Sequence, residues 1–292
     1  MTWSTLVQAE TLAGVLGRAG LVVVDCRFSL ADTGQGKREF LDAHIPGARY
    51  AHLDLDLSQR SDDPRDGRHP WPGPVAFAGT IAGWRIGPDD QVVAYDADNG
   101  SIAARLWSLL RSHGHGNVAV LDGGFSRWIG LGLPVESGSG ETAPGPVRGQ
   151  GPAPGASPLE RLLQAGEVQA HLDAGGLLVD ARAAARFRGE VEPLDRVAGH
   201  VPGAVNRPFA ENLAPDGRFK PPEALAREFR ALLGDRAPDA LVAMCGSGVT
   251  ACHHVLAMAQ AGLPGGGLYP GSWSGWIGDP ERPVARDRAT GA

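Results

Sequence analysis

Short apolar runs alternate with amphipathic stretches along the whole chain. Apolar residues at helical spacing (Leu6, Ala9, Leu12, Ala13, Leu16) predict a helix before the apolar run 21–24. Further on, the pattern predicts a strand over 91–95, a helix over 101–112 and a strand over 118–121. The second half repeats the rhythm, with a helix over 167–172 and a strand over 177–179. A helix over 222–233 then leads to a strand over 241–244, and a helix over 250–261 leads to a strand over 268–269. Strands alternating with helices of this length predict α/β architecture, a parallel sheet with helices on both faces. In such sheets, chemistry gathers at the carboxyl ends of the strands.

The alternation is also a duplication. Val22-Val-Val-Asp25-Cys-Arg27 returns as Leu178-Val-Asp180-Ala-Arg182, about 155 residues on. Ala43-His44-Ile-Pro-Gly-Ala48 returns as Gly199-His200-Val-Pro-Gly-Ala204, and Val92-Val-Ala-Tyr-Asp96 as Leu241-Val-Ala-Met-Cys245. Gly124-Phe-Ser-Arg-Trp128 echoes Ser272-Trp-Ser-Gly-Trp276. Four matches in one order define two copies of a single unit. Between them, 12 of the 25 residues from Pro134 to Pro158 are glycine or proline, which resists helix and sheet alike. The boundary is therefore placed there, giving domains 1–144 and 145–292.

Composition narrows the class. The 292 residues are 42% apolar and 21% charged, enough for two cores of a soluble globular protein. A formal net charge of −6 argues against a general nucleic-acid binder. No apolar run is long enough to span a bilayer, and Met1-Thr-Trp-Ser-Thr-Leu does not read as a secretory signal. Three cysteines make no disulfide framework, so a reducing, cytoplasmic setting is expected.

The chemistry concentrates at Leu241-Val-Ala-Met-Cys245-Gly-Ser-Gly-Val-Thr-Ala-Cys252. A strand ending at a cysteine, then a glycine-spaced turn, then a helix, points several backbone N–H groups at one sulfur. It also sets that sulfur at the positive end of a helix dipole. Such surroundings favour thiolate, and hence a nucleophile. Gly246 and Gly248 permit backbone angles other residues resist. Cys252 falls two helical turns on and reads as a packed residue, as does Cys26. Cys252-His-His254 hints at a metal site, but no second cluster supplies the missing ligands, and no organic or metal cofactor is implied. Asp25 with Arg27, and Asp180 with Arg182, read as ion pairs pinning loops at strand ends. His44 and His200 read as turn residues, and Trp128 and Trp276 as core anchors.

Taken together, Val-Asp-x-Arg, His-Ile/Val-Pro-Gly-Ala and strand-Cys-x-x-Gly-Val-Thr-Ala, each set within a duplicated frame, resemble the tandem rhodanese-type sulfurtransferases. The resemblance runs from about residue 5 to about residue 285. It implies two tandem rhodanese-like domains, each a small parallel sheet flanked by helices, with an active cysteine in the second. Asp96 stands in the first domain where the second has Cys245, which implies a catalytically silent first domain. The loop 245–250 further resembles the mercaptopyruvate branch of the family. Gly246 and Ser247 stand where thiosulfate-using rhodaneses typically carry basic residues.

The resemblance implies roles. Cys245 attacks the donor sulfur and becomes a persulfide, which passes its outer sulfur to a thiol or cyanide, with thioredoxin-like proteins among the thiols. Gly246, Gly248, Val249 and Thr250 complete the binding loop. Ser247 protonates the leaving enolate or caps the following helix, and Asp54 and His69 occupy the positions that would support it. Arg186 grips the donor's carboxylate or sulfonate with its planar fork. The branch usually places a second arginine about nine residues on; Asp195 stands there, and the adjacent Arg196 is the candidate substitute. Glu192-Pro-Leu-Asp195 is closer to the thiosulfate branch, so thiosulfate:cyanide transfer is the alternative. A phosphatase of related fold would need an arginine six residues after the nucleophile, where Ala251 stands. A non-enzymatic sulfur carrier or scaffold is the alternative of another class. Neither nucleic acid nor membrane is an expected partner.

Overall fold

The computed structural model describes residues 2–140 and 161–287. The boundary expected near residue 145 lies outside the described residues. The chain forms two compact units. One gathers Met1–Gln59, Pro72–Ser157 and Leu213–Phe219; the other gathers Arg60–Trp71, Pro158–Asn212 and Lys220–Ala292. Each unit therefore includes a short segment drawn from the other repeat.

The first unit runs β1 (Leu6–Val7), α1 (Ala9–Ala13), β2 (Leu21–Asp25), α2 (Gln35–Asp42), β3 (Arg49–Tyr50), α3 (Pro74–Gly83), β4 (Gln91–Tyr95), α4 (Ala103–Ser112), β5 (Val118–Leu121) and α5 (Gly124–Gly130). Its sheet has the order β1-β5-β4-β2-β3, with every pairing parallel. The unbroken apolar runs of β2, β4 and β5 are buried on both faces, as central parallel strands require. The helix expected from residue 6 divides in two. Leu6 and Val7 pair with Val120 and Leu121 as an edge strand, and the helix begins at Ala9 after Gln8 in extended conformation. Sheet pairing prevails over helical spacing there because it satisfies the backbone of both segments at once.

The second unit contains α6 (Ala165–Asp173), β6 (Leu177–Asp180), α7 (Ala184–Phe187), β7 (Val205–Asn206), α8 (Pro222–Leu233), β8 (Leu241–Met244), α9 (Ala251–Gln260), β9 (Gly267–Leu268) and α10 (Ser272–Trp276). Its sheet, β7-β6-β8-β9, is likewise parallel, and an isolated bridge from Leu162 to Leu268 extends the edge. Strand β8 is fully buried and central, so whatever follows Met244 emerges at the carboxyl edge of the sheet.

The duplicated motifs fold alike. Arg27 makes a bidentate contact with Asp25 (2.6 Å at its shortest) and donates to the Ala43 carbonyl at 2.7 Å. Arg182 does the same with Asp180 (2.6 Å) and the Gly199 carbonyl (2.8 Å). Each pair ties the end of the second-ranked central strand to the residue before a histidine turn. His44 and His200 donate from Nδ1 to the Phe40 and Phe187 carbonyls and stack on those same rings. Trp128 and Trp276 are buried, with indole N–H groups donating to the Pro134 and Pro283 carbonyls. Truncating such an anchor costs about 3–5 kcal/mol.

Segment Arg60–Trp71 lies against α10. Gly67, at φ +83°, makes this fit possible: a β-carbon there would sit 2.6 Å from the Gly271 carbonyl oxygen. The next residue, Arg68, donates its backbone N–H to Ser274 Oγ at 3.0 Å.

Candidate active site

Strand β8 delivers Cys245 to the sheet edge, and the turn 246–250 leads into α9. The Gly248 N–H donates to Cys245 Sγ at 3.1 Å. Several such amides were expected; among the described residues Gly248 supplies the one within hydrogen-bond range. Gly248 adopts φ +75°, and a β-carbon on it would lie 2.2 Å from the Pro270 carbonyl oxygen, so only glycine fits.

The loop is braced from behind by α10. Ser272 Oγ accepts the Cys245 N–H at 3.0 Å and donates to the Tyr269 carbonyl at 2.9 Å. The N–H groups of Trp273 and Ser274 donate to the Cys245 and Gly246 carbonyls, both at 2.9 Å. Ser272 sits at φ +52°, a left-handed conformation that costs about 1–2 kcal/mol and persists because both of its hydroxyl partners hold it. These bonds fix the direction in which the sulfur points.

Ser247 and His69 meet here: Ser247 Oγ and His69 Nδ1 are 2.8 Å apart, with both residues buried. His69 reaches the loop because its segment, Arg60–Trp71, folds into this unit. Asp54 belongs to the other unit, where its backbone N–H donates to His52 Nδ1 at 3.1 Å. Val249 is buried, and Thr250 caps α9 through its backbone position, making no side-chain cap bond.

Arg186, on α7, lies beside the loop. Its Nη1 and Nη2 are 3.5 and 3.6 Å from where a β-carbon on Gly246 would be. It is held by Glu192 (Nη2 to Oε1, 2.6 Å) and by Asp195 (Nη2 to Oδ2, 3.1 Å). Burial works against ionising Glu192, but hydrogen bonds from Arg186 and the Leu194 and Asp195 amides outweigh it and hold its carboxyl below the usual range. Arg196 turns away, donating to the Ile277 carbonyl. The guanidinium found beside Arg186 is that of Arg68, paired with Asp195 at 3.0 Å. Sequence reading passed over Arg68, although it directly precedes His69.

The remaining candidates are structural. His253 and His254 are fully buried, and both accept from Asn212 Nδ2, at 2.8 and 2.9 Å. Cys252 donates its S–H to the Gly248 carbonyl at 3.3 Å. No three His, Cys, Asp or Glu side chains group to hold a metal ion among the described residues. In the first unit, Asp96 fills the cysteine's place and accepts N–H bonds from Gly100, Ile102 and Ala103 (2.8–3.1 Å). Burial pushes its carboxyl up. A loop that would cradle a sulfur anion in one copy cradles a carboxyl in the other.

A cysteine in a strand-to-helix loop, set on a duplicated parallel α/β frame, is the arrangement of one family. The rhodanese-like domain model matches residues 8–131 and 164–279, and the chain belongs to that family. A Pseudomonas aeruginosa protein named "Probable 3-mercaptopyruvate sulfurtransferase" is 48% identical, covering 98% of this chain and 99% of its own. SseB of Mycobacterium tuberculosis, provisionally named a thiosulfate sulfurtransferase, is 39% identical over 97% of this chain and 98% of its own. The crystal structure of SseA from Escherichia coli, described as a 3-mercaptopyruvate sulfotransferase, superposes with a TM-score of 0.75 at 31% identity. It covers 94% of this chain and 99% of that one. The chain is an enzyme of the sulfurtransferase class.

Proposed function

We propose that the enzyme takes sulfur from 3-mercaptopyruvate through a persulfide on Cys245 and delivers it to a thiol or to cyanide. The Cys245 thiolate attacks the donor's thiol sulfur; an S–S bond forms and the donor's C–S bond breaks. The electron pair of the broken bond passes into the adjacent carbonyl, leaving the enolate of pyruvate. Ser247, hydrogen-bonded to His69, donates the proton that converts the enolate to pyruvate. The persulfide releases the proton that the donor thiol brought, so none is consumed overall. In the second half-reaction a thiolate or cyanide attacks the outer sulfur and regenerates the Cys245 thiolate. Small thiols and thioredoxin-like proteins are the thiol acceptors of choice, in a reducing, cytoplasmic setting where such thiols stay free.

The observation that carries this reading is the 2.8 Å contact between Ser247 and His69, two residues from the nucleophile. Thiosulfate releases sulfite, a leaving group that needs no proton donor, whereas an enolate does. The loop itself adds no cationic side chain that would single out a dianion. The full-length likeness to a relative named for mercaptopyruvate supports the same donor.

The test offers the purified protein each donor in turn and follows intact mass and pyruvate. One added sulfur on Cys245, faster with 3-mercaptopyruvate than with thiosulfate, is the expected outcome. Faster loading from thiosulfate would move the assignment to rhodanese activity. Transfer that survives Cys245→Ser would remove the persulfide altogether.

A further inference from the structure

We infer that Arg68, set in place by Asp195, is the second half of a paired guanidinium clamp that binds the donor's carboxylate over Gly246. This rests on the reading of the donor as a keto acid. Arg68 Nη2 lies 3.5 Å from the point a β-carbon on Gly246 would occupy, and Arg186 Nη1 lies 3.5 Å from that same point. Gly246 follows the nucleophile directly and has no side chain, so nothing of its own comes between Cys245 and the point on which the two guanidiniums converge.

The donors facing it are unspent. Arg68 Nε is buried without a hydrogen-bond partner, and among the described residues neither Arg68 Nη2 nor Arg186 Nη1 donates to any acceptor. The buried Nε is costly without an acceptor, and the two partly exposed Nη groups are free to take one. A carboxylate suits them, since its two oxygens accept charge-assisted bonds from both forks at once.

Asp195 makes the pairing possible. Two guanidiniums converging on one point repel, and the Asp195 carboxylate lies between them: Oδ1 accepts from Arg68 at 3.0 Å and Oδ2 from Arg186 at 3.1 Å. It is 5% exposed, and Glu192, at 4%, balances Arg186 from the other side. Two cations facing two anions leave the set neutral before the donor arrives. That balance favours a donor carrying one charge at this end over a dianion. Arg68 is also held through its backbone by Ser274 and by the tight seat of Gly67. Asp195 is thus a positioning residue and Arg68 a binding one.

The experiment measures kcat and KM for 3-mercaptopyruvate in Arg68→Met, Arg68→Lys, Asp195→Asn and the exchanged double variant Arg68→Asp/Asp195→Arg. Loss of one charge-assisted pair predicts a KM increase of about tenfold or more in Arg68→Met, with kcat changed far less. Arg68→Lys is only partly restored, because a point charge lacks the fork. Asp195→Asn behaves like a milder Arg68→Met. The exchanged pair regains much of the loss, since either end of the ion pair then carries the guanidinium. A lower Tm with KM unmoved would show a purely structural ion pair and overturn the inference. Pyruvate protection of Cys245 from iodoacetamide is read in the same variants. This separates the two readings: if the native enzyme ignores mercaptopyruvate the donor assignment fails. The clamp fails, whatever the donor, if pyruvate protects the native protein and Arg68→Met equally, or protects neither.

Discussion

Ser247 Oγ and His69 Nδ1 share a 2.8 Å contact across 178 positions of sequence. The hydroxyl comes from the turn after β8 and the imidazole from a segment of the other repeat. A proton path assembled from two such distant places is sensitive at either end. Ser247→Ala and His69→Asn are each expected to lower kcat with mercaptopyruvate by about 10²-fold. Combining them should cost little more than one alone, because a relay broken once is already broken. Stopped-flow measurement of pyruvate release checks this; additive losses would mean the two residues act separately.

Gly248 is the least replaceable residue of the loop. Alanine there meets both a left-handed φ of +75° and the Pro270 carbonyl oxygen at 2.2 Å. The expected result for Gly248→Ala is a displaced loop, transfer reduced at least about 10²-fold and a Tm lower by several degrees. Calorimetry with a single-turnover assay decides it, and native Tm and rate together would contradict the tight seat described for this turn.

Arg182 and Arg27 predict matching defects. Arg182→Met strands the fully buried Asp180, and loss of one partner in a buried pair costs about 3–5 kcal/mol. Arg27→Met does the same to Asp25 in the other unit. Urea unfolding of each variant should show comparable losses, since both arginines make the same bonds to their aspartate and to a turn carbonyl, Arg182 adding a longer one to Glu192.

Buried His254 makes stability depend on acidity. Burial, aided by Arg207, pushes its imidazole down to about 3. Its Nε2–H donates to the Arg207 carbonyl at 2.7 Å, and its Nδ1 accepts from Asn212, so the neutral form is the bonded one. The unfolded chain binds this proton near pH 6.5, so folding stability is complete above that value. It falls as the pH drops toward about 3. The slope from this group should be on the order of 1 kcal/mol per pH unit. Thermal melts across pH 4–8 in low-salt buffer measure it. NMR of the imidazole is the direct check, and titration of His254 near 6.5 would refute its burial as the cause.

Much of this molecule was legible before any coordinates. Strands 91–95 and 118–121 and the helix 222–233 carry apolar periodicities strong enough to place both ends. The turn after Cys245 was legible because a buried strand, a glycine-spaced stretch and a helix follow one another there, though of the several amides expected around the sulfur Gly248 supplies the one in range. The edge strand Leu6–Val7 was not, since two residues hold no period and its partners lie more than a hundred positions away. Helix α2 begins with Gln-Gly-Lys-Arg-Glu and shows little apolar pattern. Arg68 was missed for a related reason: Ser61-Asp-Asp-Pro-Arg-Asp-Gly-Arg68 reads as a polar loop. Only tertiary packing against α10 reveals which guanidinium points where. Arg196 failed the opposite way, standing next to the expected position while aiming at Ile277.

The stretch Arg60–Trp71, encoded in the first copy, completes the unit that carries Cys245. The ancestral doubling is therefore no longer divisible: severed at the junction, the cysteine-bearing half would keep its nucleophile but leave an imidazole and a guanidinium behind. Redundancy between the copies has become mutual dependence, and selection on either now falls on both.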